Sequence, residues 1–179
     1  MLIKTIFSGF GGQGVLMMGL SLAHSAMNKG YHVTYLPSYG AEVRGGTANC
    51  TVAVADEEIS SPVASEPDNL IVMNSPSLTT FQNKITKDGI IFLNSSIVAA
   101  RPSRKDVKVY AVPCGDMAQD LGNVRVANII MMGAFIKQTG IVPVDIYLKS
   151  LETIIGGKKK SATEINRKAF TIGYDFLKD

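Results

Sequence analysis

Residues 3–14, "IKTIFSGFGGQG", form an apolar run that ends in glycines at positions 9, 11, 12 and 14. Behind it, "VLMMGLSLAHSAMNKG" carries Leu16, Leu20, Ala23 and Met27 at helical spacing, and Gly30 supplies a stop. The stretch reads as strand, tight turn, helix. Glycine permits the sharp corner, and the missing side chains let backbone N–H groups at a helix start approach an anion. "HVTYL" at 32–36 then reads as a second buried strand, stopped by Pro37. With its helix, the pair makes a right-handed βαβ unit with parallel strands.

Working outward, "PSYGAEVRGGT" (37–47) is a polar, glycine-rich loop, and "NCTVAVA" (49–55) is strand-like in its Val, Ala and Thr content. Residues 70–73 read as a strand, and 75–84 as a helix whose start is marked by Ser75 with Pro76 at the first helical position. "GIIFLN" (89–94) and "VKVYAVP" (107–113) are further buried strands. "VRVANIIMMGAFIKQT" (124–139) is apolar round most of its circumference, which predicts a helix buried on several sides and ended by Gly140. Residues 144–155 and 162–177 are amphipathic helices, the last with a capping box at Ser161 and Glu164. The expected fold is a single α/β domain over residues 1–179: a Rossmann-like, mostly parallel sheet flanked by helices, with an antiparallel element near 49–55.

Composition narrows the function. Hydrophobic residues make up 46% of the 179 positions and charged residues only 18%, against roughly a quarter in an average globular protein. A chain so short of charge is expected to hide surface in an assembly. The net charge of +3 is small and scattered, and no aromatic-plus-basic stretch occurs, so nucleic acid is not an expected partner. Glycines interrupt the apolar N-terminal stretch that loosely mimics a secretory signal, and no run approaches the roughly 20 apolar residues that span a membrane. The expected compartment is the cytoplasm. Cys50 and Cys114 stand far apart, without the spacing of a four-cysteine iron–sulfur site, and read as buried thiols.

The glycine turn has two readings: a phosphate cradle, or simply a corner where helix and strand pack closely. A nicotinamide site normally adds an acidic residue about 20 positions on, at the end of the second strand. Here that strand runs into "TYLPSYG" and the first carboxylate is Glu42, which argues against NAD. Glu42 and Arg44, flanked by glycines, form either a carboxylate- or phosphate-binding loop or an ion pair that shapes its own backbone. Lys158, Lys159 and Lys160 read as a solvated loop, and neither His24 nor His32 has neighbours at metal-ligand spacing. "CGDMAQDLGN" (114–123) departs from a thiamine diphosphate signature, which needs Gly-Asp-Gly and a later Asn-Asn, because residue 117 is Met. No Gly-x-Ser-x-Gly elbow or Ser/His/Asp arrangement offers a self-contained active site.

Taken together, "FSGFGGQGV", "PSYGAEVRGGTANC", "SSPVASEPDNLIVMN" and "NVRVANIIMMGAF" resemble the gamma subunit of the 2-oxoacid:ferredoxin oxidoreductases over about residues 3–175. The resemblance implies a subunit or fused domain of an enzyme that oxidatively decarboxylates a 2-oxo acid to an acyl-CoA and reduces ferredoxin. It implies thiamine diphosphate, Mg and iron–sulfur clusters carried mainly by sister subunits, and coenzyme A as co-substrate. Partners would be alpha and beta subunits, with or without a ferredoxin-like delta subunit, and ferredoxin through the holoenzyme. This chain alone would be inactive, contributing at the active-site and coenzyme A interface. Gly9, Gly11, Gly12, Gln13 and Gly14 match the family's glycine turn, a candidate phosphate or coenzyme A contact. Tyr39, Gly40, Glu42, Arg44, Gly45 and Gly46 match its second motif, a candidate subunit-interface or coenzyme A loop. Asn128 matches a further family position, where helix packing is the expected role. The competing reading is a free-standing Rossmann-like nucleotide-binding protein, and an NAD-dependent dehydrogenase is disfavoured by the missing acid.

Overall fold

The computed structural model describes residues 1–39, 47–156 and 160–177. Six strands, β1 (Leu2–Phe10), β2 (His32–Tyr39), β3 (Thr47–Ala55), β4 (Asn69–Val72), β5 (Ile90–Asn94) and β6 (Lys108–Val112), form one sheet in the order β2-β3-β1-β4-β5-β6. Six helices join or follow them: α1 (Val15–Lys29), α2 (Ser75–Phe81), α3 (Cys114–Asp120), α4 (Ala127–Thr139), α5 (Val144–Ile155) and α6 (Lys160–Phe176). β1, β4, β5 and β6 are parallel neighbours, whereas β3 lies antiparallel between β1 and β2. The expected mostly parallel sheet with its antiparallel element at 49–55 is therefore present.

One local expectation is corrected by that topology. β1 and β2 run in the same direction but are not paired, because β3 separates them. Hydrophobic patterning identifies strands and cannot say which two lie side by side. Pro37 does not stop β2 either, since the strand continues to Tyr39. β2 is an edge strand, where a residue without an N–H need not break a ladder bond.

Alternate residues of the central strands feed two cores. Phe7, Ile71, Phe92 and Val112 face a large cluster with Met18 and Leu22 of α1, Ile130 and Phe135 of α4, Tyr147 of α5 and Phe170 of α6. Ile6, Leu70, Val72, Ile91 and Leu93 face a smaller cluster closed by Leu78 of α2, Ile85 and Val98. Strands buried on both faces read as unbroken apolar runs, which is why "IIFL" shows no alternation. Phe135 joins helix to sheet through edge-to-face contacts with Phe7 at 5.9 Å and Phe92 at 5.4 Å. Residues 128–136 of α4 are all buried, as the apolar circumference predicted.

Helix starts differ in detail from the sequence reading. Ser75 is the first residue of α2 rather than its cap; Asn74 is the cap, its Oδ1 accepting from the Ser77 N–H at 2.9 Å. Ser161 is likewise inside α6, which already includes Lys160, and so does not precede the helix. The α2 start differs by one residue and the α6 start by two, within the scatter common at helix ends.

The two cysteines are core residues. Burial pushes the Cys50 and Cys114 thiols up to about 12, and the Cys50 Sγ–H donates to the Val15 carbonyl at 3.6 Å. Neither thiol is expected to react with iodoacetamide at pH 8 in the folded protein, and both should react once it is unfolded in guanidinium, as mass spectrometry would register. Their neutral form is the one folding favours. That contribution to stability is full below about pH 9 and is lost as pH rises towards 12.

Candidate functional site

In an open sheet, ligands gather outside the carboxyl ends of parallel strands, where strand order reverses. That point is the boundary between β1 and β4, from which the chain winds both ways. A cleft of about 340 Å³ opens there, lined by Gly12 and Gln13 after β1, Met73 after β4, Asn94 and Ser96 around the end of β5, and Asp116 after β6. Asn128, near the start of α4, lines its far side, and Ile97, Val124 and Arg125 stand on its rim.

The glycine turn is held by its own glutamine. The Gln13 Oε1 accepts from the Phe10 N–H at 2.7 Å, and its Nε2 donates to the Met73 carbonyl at 2.9 Å, so one side chain ties the end of β1 to the end of β4. Its polar atoms are committed to backbone. Gly9 is required for room, because a Cβ there would lie 2.6 Å from Gln13 Oε1 and 2.8 Å from Met73 Cβ. Gly14 caps α1 in the left-handed region at φ 74°, with no side-chain cap and no acid in the first turn, which leaves an open positive helix end beside the cleft.

Gly14 also admits Asn128. A Cβ on Gly14 would stand 2.4 Å from Asn128 Nδ2. Gly14→Ala therefore combines left-handed strain with a clash, and is expected to cost about 2–4 kcal/mol in urea unfolding. Gly12→Ala, also at positive φ but with nothing within 4 Å of the added Cβ, should cost only the backbone part, about 1 kcal/mol. Equal losses would show that Asn128 does not press on the turn.

Asn128 does not behave as a satisfied packing residue. Only 8% of it is exposed, and its Oδ1 is buried without a hydrogen-bond partner. Two neighbouring polar groups of the cleft are engaged: Asn94 Oδ1 accepts from the Ser96 N–H at 3.3 Å, and Ser96 Oγ accepts from the Asp116 N–H at 2.9 Å. These residues follow directly after strands that the sequence reading located. Their position at carboxyl strand ends was the signal available for finding them.

The second motif falls mostly outside the described residues, which omit 40–46. Tyr39 and Gly9 lie opposite Ala48 from its two sides, so β2 ends and β3 begins at the same end of the sheet as the glycine turn. Gly40, Glu42, Arg44, Gly45 and Gly46 lie outside the described residues. The intervening β3 also bears on the nucleotide readings: an acid at the end of β2 would stand two strands from β1 rather than beside it.

The other residues weighed in the sequence lie elsewhere. His24 Nδ1 is 3.1 Å from the Asn28 side-chain amide, His32 begins β2, and Lys158 and Lys159 lie outside the described residues. The exception is "CGDMAQD", the helix α3, whose first-turn Asp116 lines the cleft.

A sequence model of pyruvate ferredoxin/flavodoxin oxidoreductase matches residues 4–176. The chain belongs to that family. Ketoisovalerate oxidoreductase subunit VorA of Methanothermobacter thermautotrophicus is 34% identical over 179 residues, covering 99% of this chain. The chain spans 37% of the length of that relative. The 2-oxoglutarate synthase subunit KorC of Methanocaldococcus jannaschii is 30% identical over 175 residues, which are 96% of this chain and 92% of KorC. In three dimensions the chain is similar to the gamma subunit of a keto/oxoacid ferredoxin oxidoreductase from Geobacter sulfurreducens, with a TM-score of 0.82, 27% identity, and coverage of 97% and 96% of the two chains. The gamma-type fold of this oxidoreductase family is thus the fold of this protein.

The two thiols are held protonated in the core, and among the described residues no three His, Cys, Asp or Glu side chains gather as a metal site. Among those residues, too, no helix is long and apolar enough to cross a membrane.

Proposed function

We propose that the chain is the gamma component of a multisubunit, cytoplasmic 2-oxoacid:ferredoxin oxidoreductase, which decarboxylates a 2-oxo acid oxidatively, forms an acyl-CoA and passes single electrons to ferredoxin. Residues 1–179 act as one gamma-type domain. The observation that carries the reading is the family match along 4–176, accompanied by relatives named as subunits of ketoisovalerate and 2-oxoglutarate enzymes. Thiamine diphosphate and the iron–sulfur clusters belong to alpha, beta and delta-type partners; the two cysteines of this chain, far apart in sequence and buried, support that division. Such groups supply the carbanion and one-electron chemistry of the holoenzyme.

The contribution of this chain is to shape the coenzyme A side of the active-site interface. Strand register supports that role: Tyr39, where the second motif begins, ends β2 at the same end of the sheet as the glycine turn at 9–14 with its open helix start. Gly11, Gly12 and the α1 start approach a coenzyme phosphate, Gln13 holds the turn, and Arg44 meets either that phosphate or a partner carboxylate. Arg44→Ala is expected to raise the Michaelis constant for coenzyme A about tenfold or to weaken assembly to a similar degree. Unchanged assembly with unchanged kinetics would remove Arg44 from the site. A free-standing nucleotide-binding protein would instead take up NAD by itself; calorimetric titration of the purified chain with NAD should give no binding at millimolar concentration.

A further inference from the structure

We propose that the end of the sheet away from the glycine turn docks a second copy of this chain about a two-fold axis, the basic half of each copy meeting the acidic half of the other. The inference goes beyond the subunit reading and does not depend on it.

Charge that looks scattered along the sequence is sorted by the fold. At this end β4, β5 and β6 begin abreast, with Asn69, Ile90 and Lys108 in register, and Leu2, Ala55 and His32 are in register on β1, β3 and β2. The segments that lead into β5 and β6, "KITKD" (84–88) and "RKDVK" (104–108), carry five cations to two carboxylates. They are tied together: the Arg104 guanidinium donates to the Ile85 carbonyl at 3.0 Å, and the Asp88 N–H to the Asp106 carbonyl at 2.8 Å. Arg104 is paired with Asp106, whereas Lys87, Lys105 and Lys108 are exposed and their ammonium groups have no partner among the described residues.

The segment that leaves β3, residues 56–68, has five carboxylates and no cation. Asp68 accepts from the Lys4 N–H at 2.7 Å, but Glu57, Glu58 and Glu66 are exposed and, among the described residues, unpaired. Glu57 and Glu58 edge a recess of about 380 Å³ whose apolar wall includes Leu2 and Ile59. An aliphatic wall with an acidic lip suits the long stem and charged head of a lysine. Leu2 and Val63, 50% and 57% exposed, offer apolar contact beside the carboxylates.

Four strand steps separate β3 from β6, about 19 Å at roughly 4.8 Å per step. A two-fold axis through the rim at β4 therefore lays each basic half over the other copy's acidic half, and makes the same contact twice, as an isologous interface requires. An acidic partner of another kind would match only one half. The contact leaves the glycine turn free at the opposite end.

Sedimentation equilibrium of the purified full chain tests this. A dimer is expected at about 50 mM NaCl, and its dissociation constant should rise at least about tenfold at about 500 mM, because exposed charges are screened. Two variants reverse one half each: Lys105→Glu with Lys108→Glu, and Glu57→Lys with Glu58→Lys. Each by itself should dimerise at least about tenfold more weakly than wild type, since like charges then face one another. An equimolar mixture should recover the dimer, because in the mixed pair both contacts again join opposite charges. A wild-type chain that is monomeric at about 100 μM in low salt would overturn the inference. So would a dimer indifferent to salt, an observation that needs no variant, or a mixture that associates no more tightly than its components.

Discussion

Gly173→Ala is expected to lower stability by about 3 kcal/mol or more, a fall in melting midpoint of about 6–12 °C for a chain of this size. The cause is a backbone-to-backbone crossing of α4 and α6. A Cβ on Gly173 would lie 1.8 Å from the Ile130 carbonyl oxygen and 2.6 Å from its carbon, and one on Gly133 would lie 2.2 Å from the Phe170 oxygen. Neither obstacle is a side chain that can swing away. The helices would have to part, opening the contact that buries Ile130 and Phe170 and the stack of Phe170 on Tyr147 at 5.1 Å. Alanine's better helix propensity, about 1 kcal/mol, offsets only part of this. The displacement would reach the candidate site, because α4 starts beside the cleft and carries Asn128 into it. Scanning calorimetry is the measurement, and a midpoint within 2 °C of wild type would show that the helices do not cross at these glycines.

Gln13→Ala is the second large effect. Its side chain satisfies the Phe10 N–H and the Met73 carbonyl together, and removing it leaves two partly enclosed backbone groups without partners. At about 1–2 kcal/mol for each, the loss should be about 2–4 kcal/mol in urea unfolding. Gln13→Glu should not restore stability. It keeps an acceptor for Phe10 but sets a carboxylate oxygen against the Met73 carbonyl, where only a donor fits. Because the same bonds hold the glycine turn proposed to face coenzyme A, both variants should also raise the Michaelis constant for coenzyme A in the assembled enzyme. Wild-type stability in Gln13→Ala would mean that water or neighbouring backbone replaces the tie.

Much of this architecture was legible in residue order. The run 3–7 with its glycines gave β1 and the corner into α1, and the apolar circumference within 124–139 gave α4, buried from residue 128 to 136. What periodicity does not encode is lateral order in the sheet. The antiparallel insertion of β3 depends on long-range pairing of Ala48, Cys50 and Val52 with both β1 and β2, and Pro37 survives in β2 because that strand lies at the edge. The α4–α6 contact was invisible for a similar reason: Gly133 and Gly173 look like ordinary weak points of helices until the two backbones are brought together.

The site was legible in halves. Glycine spacing marked the turn, yet the residue between the glycines that matters most for its shape, Gln13, works through contacts with Phe10 and Met73, and Met73 lies just past the end of β4. Asn128 was visible as a motif position, and its location on an apolar helix suggested packing. The structure adds that it packs on Gly14, lines the cleft and keeps a buried Oδ1 without a partner.

The central claim is that this chain works as one subunit of a 2-oxoacid:ferredoxin oxidoreductase. Its most direct test is anaerobic purification of the native assembly through this chain, followed by assay of several 2-oxo acids for coenzyme A-dependent reduction of a one-electron dye. The account predicts co-purifying thiamine-binding and iron–sulfur subunits and dye reduction with at least one 2-oxo acid, abolished when coenzyme A is omitted. Recovery of the chain by itself, with no 2-oxo acid supporting reduction, would contradict it.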